Sequence, residues 1–123
     1  MQGFLLVFFG GGIGAALRHG FNLAFARLFG TGFPLATLFE NVTGSLAMGL
    51  LAGYFAFKAD ASQHVRLFLT TGILGGYTTF STFSLDAALL WERDQYGRAA
   101  LYIAFSVILS LAGLAFGLVA MRR

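Results

Sequence analysis

The sequence predicts an all-α membrane protein with four transmembrane helices, and three observations carry that prediction. Hydrophobic residues make up 58% of the 123-residue chain and charged residues 11%, against roughly 25% charged in ordinary globular chains. Mean hydropathy is +0.79, and so little polar surface cannot cover an interior of that proportion in water. The charges are also spaced so that long apolar runs lie between them. Residues 2–17, 67–85 and 99–121 carry none, and Glu40 is the one charge within 28–57. Crossing the hydrocarbon core takes roughly 20 such residues in a helix, and these runs do not alternate as membrane strands do.

The first helix is expected over residues 3–26. It opens with "MQGFLLVFFGGG", which has no basic leader and runs straight into more apolar helix, so it does not read as a cleavable signal. The second is expected over 34–57, with Pro34 at an early position where a missing N–H costs little. The third is expected over 65–91 and the fourth over 97–121. Their connections are "ARLFGTGFP", "KADASQHVR" and "WERDQYGR". No linker or internal repeat divides the chain, which reads as one four-helix transmembrane domain over 1–123.

The net charge of +3 and isoelectric point near 9.8 come from bases scattered at helix ends, a pattern of membrane flanks rather than of nucleic-acid binding. Cysteine is absent, which excludes disulfides and thiolate metal sites. With four helices, Lys58, Arg66, Arg122 and Arg123 fall on one side, and Arg27, Arg93 and Arg98 on the other. That difference is barely a bias under the positive-inside rule. Two readings follow: insertion both ways with pairing of inverted copies, or a single orientation set by a small excess. Small residues at fourfold spacing (Gly10 and Gly14, Ser45–Gly49–Gly53, Gly72 and Gly76, Gly113 and Gly117) mark faces where helix backbones approach closely. A seam on every helix, and the little room four helices leave for a path, suggest an oligomer.

"GGGIGA" (10–15) formally satisfies a dinucleotide-binding pattern, but no βαβ unit surrounds it and helix packing explains it better. His19 and His64 have no ligand-spaced partners, and no catalytic triad is visible, so the chain does not read as an enzyme. Asn41 near the start of helix 2 is costly in lipid unless it bonds across helices or lines a wet path. Arg18 either snorkels to the interface or attracts anions at a vestibule. Tyr102, Ser106 and Ser110 fall at i, i+4 and i+8, one stripe about 12 Å long at ~1.5 Å rise per residue. Single hydroxyls usually bond back to their own helix; three on one face of an apolar segment read as a ladder of donors.

The stretch "GGYTTFSTF" (75–83) concentrates these signals. The adjacent glycines are expected to break the helix near Gly75-Gly76, freeing carbonyls that must find partners in protein, a cavity or a hard cation. Phe80 and Phe83 lie three apart, and ring edges, which carry partial positive charge, can accept a bare anion. Two phenylalanines packed in a core are the ordinary alternative.

"GGYTTFSTFS" resembles the signature of the Fluc/CrcB family of bacterial fluoride channels. "GGGIGAALRHG" (10–20), "PLATLFENVTGS" (34–45) and the Tyr102, Ser106, Ser110 series support the resemblance from helix 1 to helix 4. The resemblance implies an antiparallel, dual-topology homodimer in the bacterial inner membrane with two fluoride pores, serving passive efflux that protects against fluoride. It implies a structural sodium ion at the dimer centre, held by the Gly75 and Thr78 carbonyls. Phe80 and Phe83 would face fluoride, Asn41 would be a pore amide, and Ser81, Thr82, Tyr102, Ser106 and Ser110 the polar track. Arg18 matches the family's helix-1 arginine, and Asp86 a familiar acidic position.

Glu40 departs from that pattern, where a small apolar residue is usual. A carboxylate at mid-helix costs ~2.5–3.5 kcal/mol on insertion scales, and its charge would repel an anion. It is expected to lower fluoride flux or make it pH-dependent, unless it faces away, since one residue turns about 100° around a helix. Glu40 alone favours a rival reading, a small proton-coupled cation exporter; a third reading is a non-transporting membrane assembly protein.

Overall fold

The structure, a computed structural model, describes residues 1–58 and 62–122; residues 59–61 of the second connection, and Arg123, lie outside the described residues. Three long helices occupy the long apolar runs: α1 (Gln2–Phe29), α2 (Leu35–Phe57) and α6 (Tyr96–Arg122). By length and composition each can cross a membrane. The segment expected as a third helix, broken near Gly75-Gly76, is divided into several pieces. It comprises α3 (Gln63–Arg66), a π-helical stretch (Leu67–Leu74), α4 (Gly75–Tyr77) and α5 (Phe80–Glu92).

Local chemistry accounts for these divisions. Ser62 caps α3 by accepting from the Val65 N–H at 3.2 Å. The Thr70 hydroxyl donates to the Arg66 carbonyl at 2.6 Å, competing for the acceptor its own N–H would use in an α-helix, which favours the wider turn. The expected interruption at Gly75-Gly76 is displaced. Gly75 is helical (φ −62°, ψ −37°), and the backbone becomes extended at Thr78 (φ −90°, ψ 158°) and Thr79 (φ −155°, ψ 126°). Glycine freedom is therefore not what ends α4. The helix ends because Asn41 and the Thr79 side chain capture the N–H groups that would continue it, as described below.

The glycines serve close packing instead. A Cβ on Gly14 would overlap the Ile73 carbonyl, and one on Gly76 the Gly11 carbonyl, so α1 lies backbone to backbone on the π-helical stretch and α4. On the other side, Gly49 meets the Leu114 carbonyl and Gly117 the Leu50 amide, which makes the α2–α6 contact the most extensive in the molecule. These seams are occupied within the chain, so they do not by themselves argue for a partner subunit.

Fully buried apolar side chains are few. Leu90, Ala99 and Tyr102 form a small cluster with Phe33, Leu38, Phe83 and Ala87 around it. Phe4, Phe8, Ile108 and Phe116 point outward and are largely exposed. Apolar surface outside and glycine inside is the arrangement of a multi-pass membrane protein, in which lipid is the solvent.

Candidate functional site

The interruption between α4 and α5 is held from α2. Asn41 Nδ2 donates to the Thr79 carbonyl at 3.1 Å, and the Thr79 N–H donates to Asn41 Oδ1 at 2.8 Å. This reciprocal pair satisfies both backbone groups of an extended residue that has no strand partner. Thr79 then starts α5: its hydroxyl accepts from the Thr82 N–H at 3.2 Å. One turn along α2 from Glu40, Thr43 shares a hydrogen bond with the Tyr77 hydroxyl at 2.8 Å.

Two carbonyls lose their helical donors as a result. In an unbroken α-helix the Thr79 N–H would serve Gly75 and the Thr82 N–H would serve Thr78. Asn41 diverts the first and the Thr79 hydroxyl the second. Gly76, between them, is served from outside, by Arg18 Nε at 3.2 Å.

Beside the extended pair runs a groove of about 390 Å³, walled by α2, the start of α5 and α6. Asn41 and Ser45 line it from α2, Thr78 and Thr79 from the interruption, Phe80 and Phe83 from α5, and Ser106 and Ser110 from α6. The Phe80 and Phe83 ring centroids are 5.6 Å apart with planes at 48°. Phe80 is 78% exposed, so one chain leaves that wall open. Ser106 is buried, and its hydroxyl has no hydrogen-bond partner among the described residues.

Not every expected track residue reaches the groove. Tyr102 is 0% exposed; its hydroxyl donates to Asp86 Oδ2 at 3.1 Å. Its ring packs on Phe83 at 5.2 Å and edge-on to Phe33 at 5.7 Å. The ladder read from helix 4 therefore divides, with two serines at the groove and the tyrosine behind Phe83. The Ser81 hydroxyl lies 3.4 Å from that of Thr79 on an exposed turn, and Thr82 contributes its N–H to the cap.

Glu40 turns away from the groove and is 0% exposed. With its amide nitrogen toward α2, Asn22 donates to the two Glu40 carboxylate oxygens at 2.9 and 3.3 Å. Arg18 is the opposite charge acting on this carboxylate and Asp86 the like one. Asn22 was not singled out in the sequence, although its signal was the one used elsewhere, an amide within an apolar run. Among the described residues no group of three or more His, Asp and Glu could hold a metal ion.

Three long apolar helices, a divided helical segment pinned by an asparagine, and a groove edged with rings and hydroxyls define a multi-pass membrane protein with a polar groove beside the interruption. The chain belongs to the CrcB family: the family model described as CrcB-like protein, Camphor Resistance (CrcB), matches residues 5–118. It is 65% identical over 119 residues to a protein of Rhodopseudomonas palustris (strain BisB5) named Fluoride-specific ion channel FluC, covering 97% of this chain and 96% of that one. It is 58% identical over 120 residues to Fluoride-specific ion channel FluC 2 of Nitrobacter hamburgensis, covering 98% and 97%. A FluC protein of Hyphomonas neptunium is 53% identical over 124 residues, covering 100% and 98%.

Proposed function

We propose that this chain is a fluoride channel that lets fluoride leave the cytoplasm passively across the inner membrane, without covalent chemistry. The observation that carries the proposal is the convergence of Phe80, Phe83, Asn41, Ser106 and Ser110 on one groove. A small anion entering it must lose water, and the groove offers replacements. Asn41 keeps a second amide hydrogen beyond the one given to Thr79. The Ser106 hydroxyl is unspent. The ring edges of Phe80 and Phe83 add partial positive charge without a full charge that would trap the ion. Glu40, the residue that favoured a proton-coupled exporter, bonds Asn22 and lies off this route.

The working unit is proposed to be an antiparallel homodimer of dual topology with two pores. The exposed Phe80 ring gives a reason, because a second copy would supply the missing wall. The near balance of basic residues on the two sides allows both insertions. Arg18 would add positive potential near the path. A sodium ion is proposed between the two copies. The fit rests on the Gly75 and Thr78 carbonyls, both stripped of their helical donors, since hard cations take oxygen ligands. Its role would be to join the interruptions of the two copies by charge. This chain's part is to present those carbonyls, which Asn41 and Thr79 do.

Fluoride efflux from loaded liposomes, followed with a fluoride electrode, tests the channel directly. The purified chain is expected to release fluoride and retain chloride. Phe80→Ile and Phe83→Ile should each cut efflux at least about tenfold, the loss expected when one anion contact worth about 1.4 kcal/mol goes, while leaving dimerisation intact. Efflux no faster than in empty liposomes would overturn the proposal.

A further inference from the structure

Glu40 is unexplained by the groove. It is completely buried, its carboxylate bonds only the Asn22 amide among the described hydrogen bonds, and a buried carboxylate needs compensation. Asn22 lies four residues after Arg18, so the two share one face of α1, and Arg18 is the positive charge acting on Glu40. The hydrogen bond of Arg18, however, goes to the Gly76 carbonyl at 3.2 Å. Arg18 thus shares a face of α1 with the amide that bonds the Glu40 carboxylate, while its own hydrogen bond goes to a carbonyl of α4. Gly76 immediately follows Gly75, whose carbonyl is one of the two left without a helical donor. An uncompensated guanidinium there would oppose any cation held by the Gly75 and Thr78 carbonyls.

We infer that Glu40 is a charge-compensating positioning residue: with Asn22 it allows Arg18 to hold the Gly76 carbonyl while cancelling the arginine's field at the neighbouring Gly75 and Thr78 carbonyls. The inference rests on the sodium reading given above. It concerns this chain's own carboxylate, whose effect would be felt in cation binding rather than in the anion path. Asp86 is the other carboxylate acting on Glu40. It is engaged by Tyr102, so it is less available to compensate Arg18.

The test is the sodium dependence of the dimer in detergent, with N-methylglucamine replacing sodium at constant ionic strength and size-exclusion profiles as the readout. Glu40→Gln keeps the shape and an acceptor for Asn22 but removes the charge. It is expected to raise the sodium concentration needed for half-maximal dimer at least about fivefold, in line with loss of one nearby charge in a partly buried setting. Adding Arg18→Gln to it should move the requirement back toward that of the unaltered chain. A merely structural role predicts the reverse, with the double variant worse than either single one. An unchanged requirement in Glu40→Gln, when the unaltered chain does depend on sodium, overturns the inference alone. No sodium dependence in the unaltered chain overturns the sodium reading and the inference with it. If Glu40→Gln cannot be recovered folded but the double variant can, the double variant carries the test: a sodium requirement near that of the unaltered chain supports the inference, and a clearly raised one overturns it. If neither is recovered, charge compensation is not what Glu40 supplies.

Discussion

The α2–α6 seam and the α4–α5 interruption lie side by side on α2, yet they are built by opposite means. In the seam, Gly49 and Gly117 remove side chains so that two regular helices touch along their backbones. At the interruption, Asn41 adds a side chain that replaces backbone hydrogen bonding over two extended residues. The seam is stable because lipid offers helices no better contact than each other. The interruption is stable because Asn41 pairs both backbone groups of Thr79 and the Thr79 hydroxyl takes the Thr82 N–H, leaving fewer groups unpaired than a bare break in a bilayer would. Rigidity comes from the first, and the groove and the freed carbonyls come from the second.

The seam should be the more sensitive of the two to added volume. Gly49→Val places a branched side chain where even a Cβ overlaps the Leu114 carbonyl. With backbone on the far side there is nothing flexible to move, so a cost above about 3 kcal/mol is expected, beyond ordinary overpacking. The expected result is loss of the monodisperse species on size exclusion and no recoverable flux. Recovery of Gly49→Val at normal yield would show that α2 and α6 can separate without loss of the fold.

The same contrast explains what could be read from the sequence. A glycine every fourth residue in an apolar run has few meanings, so Gly10, Gly14, Gly49 and Gly117 pointed directly to close packing. Its partner did not follow, because identical spacing serves contacts within a chain and between chains. The glycine pair at 75–76 was misread for a related reason. Glycine weakens a helix and also lets another helix approach; here Gly76 lies on Gly11 and stays helical. What ends the helix is an amide 38 residues away, and no local pattern announces such a partner. Asn41, Ser106 and Ser110 were legible as costly in lipid, Phe80 and Phe83 only as a pair spaced three apart, and all five share one groove. That Tyr102 turns behind Phe83 toward Asp86 depends on the packing of α5 against α6, and the i, i+4, i+8 spacing alone could not give it.

Disturbing the interruption should be less drastic than disturbing the seam. Asn41→Leu removes an acceptor and a donor at once and leaves the Thr79 N–H and carbonyl unpaired in an apolar setting. The expected loss is about 2–4 kcal/mol, from two unsatisfied groups at about 1–3 kcal/mol each, with part recovered by rearrangement. The protein should still be isolated, with a lowered melting temperature and fluoride efflux near background. Asn41→Asp keeps only the acceptor, so it should restore part of the stability and little of the flux. Equal melting temperatures for Asn41→Leu and the unaltered chain would mean that Thr79 has another partner and that Asn41 does not hold the interruption.

The smallest structural effect is expected at Ser106, and it separates the two regions most sharply because α6 belongs to both. Gly117 packs α6 into the seam, whereas Ser106, three turns earlier on the helix, is buried with a hydroxyl that has no hydrogen-bond partner among the described residues. A hydroxyl kept only for stability should be partnered, because leaving it unpaired costs about 1–3 kcal/mol. Ser106→Ala should therefore leave the melting temperature unchanged or raise it slightly. If the hydroxyl is reserved for a dehydrated anion, the same change should lower fluoride efflux several-fold, about what the loss of one hydrogen bond of roughly 1 kcal/mol gives. Stability and flux then move in opposite directions for a single atom. If both stay unchanged, the hydroxyl is an accident of packing, and the anion path along α6 must begin instead at Ser110.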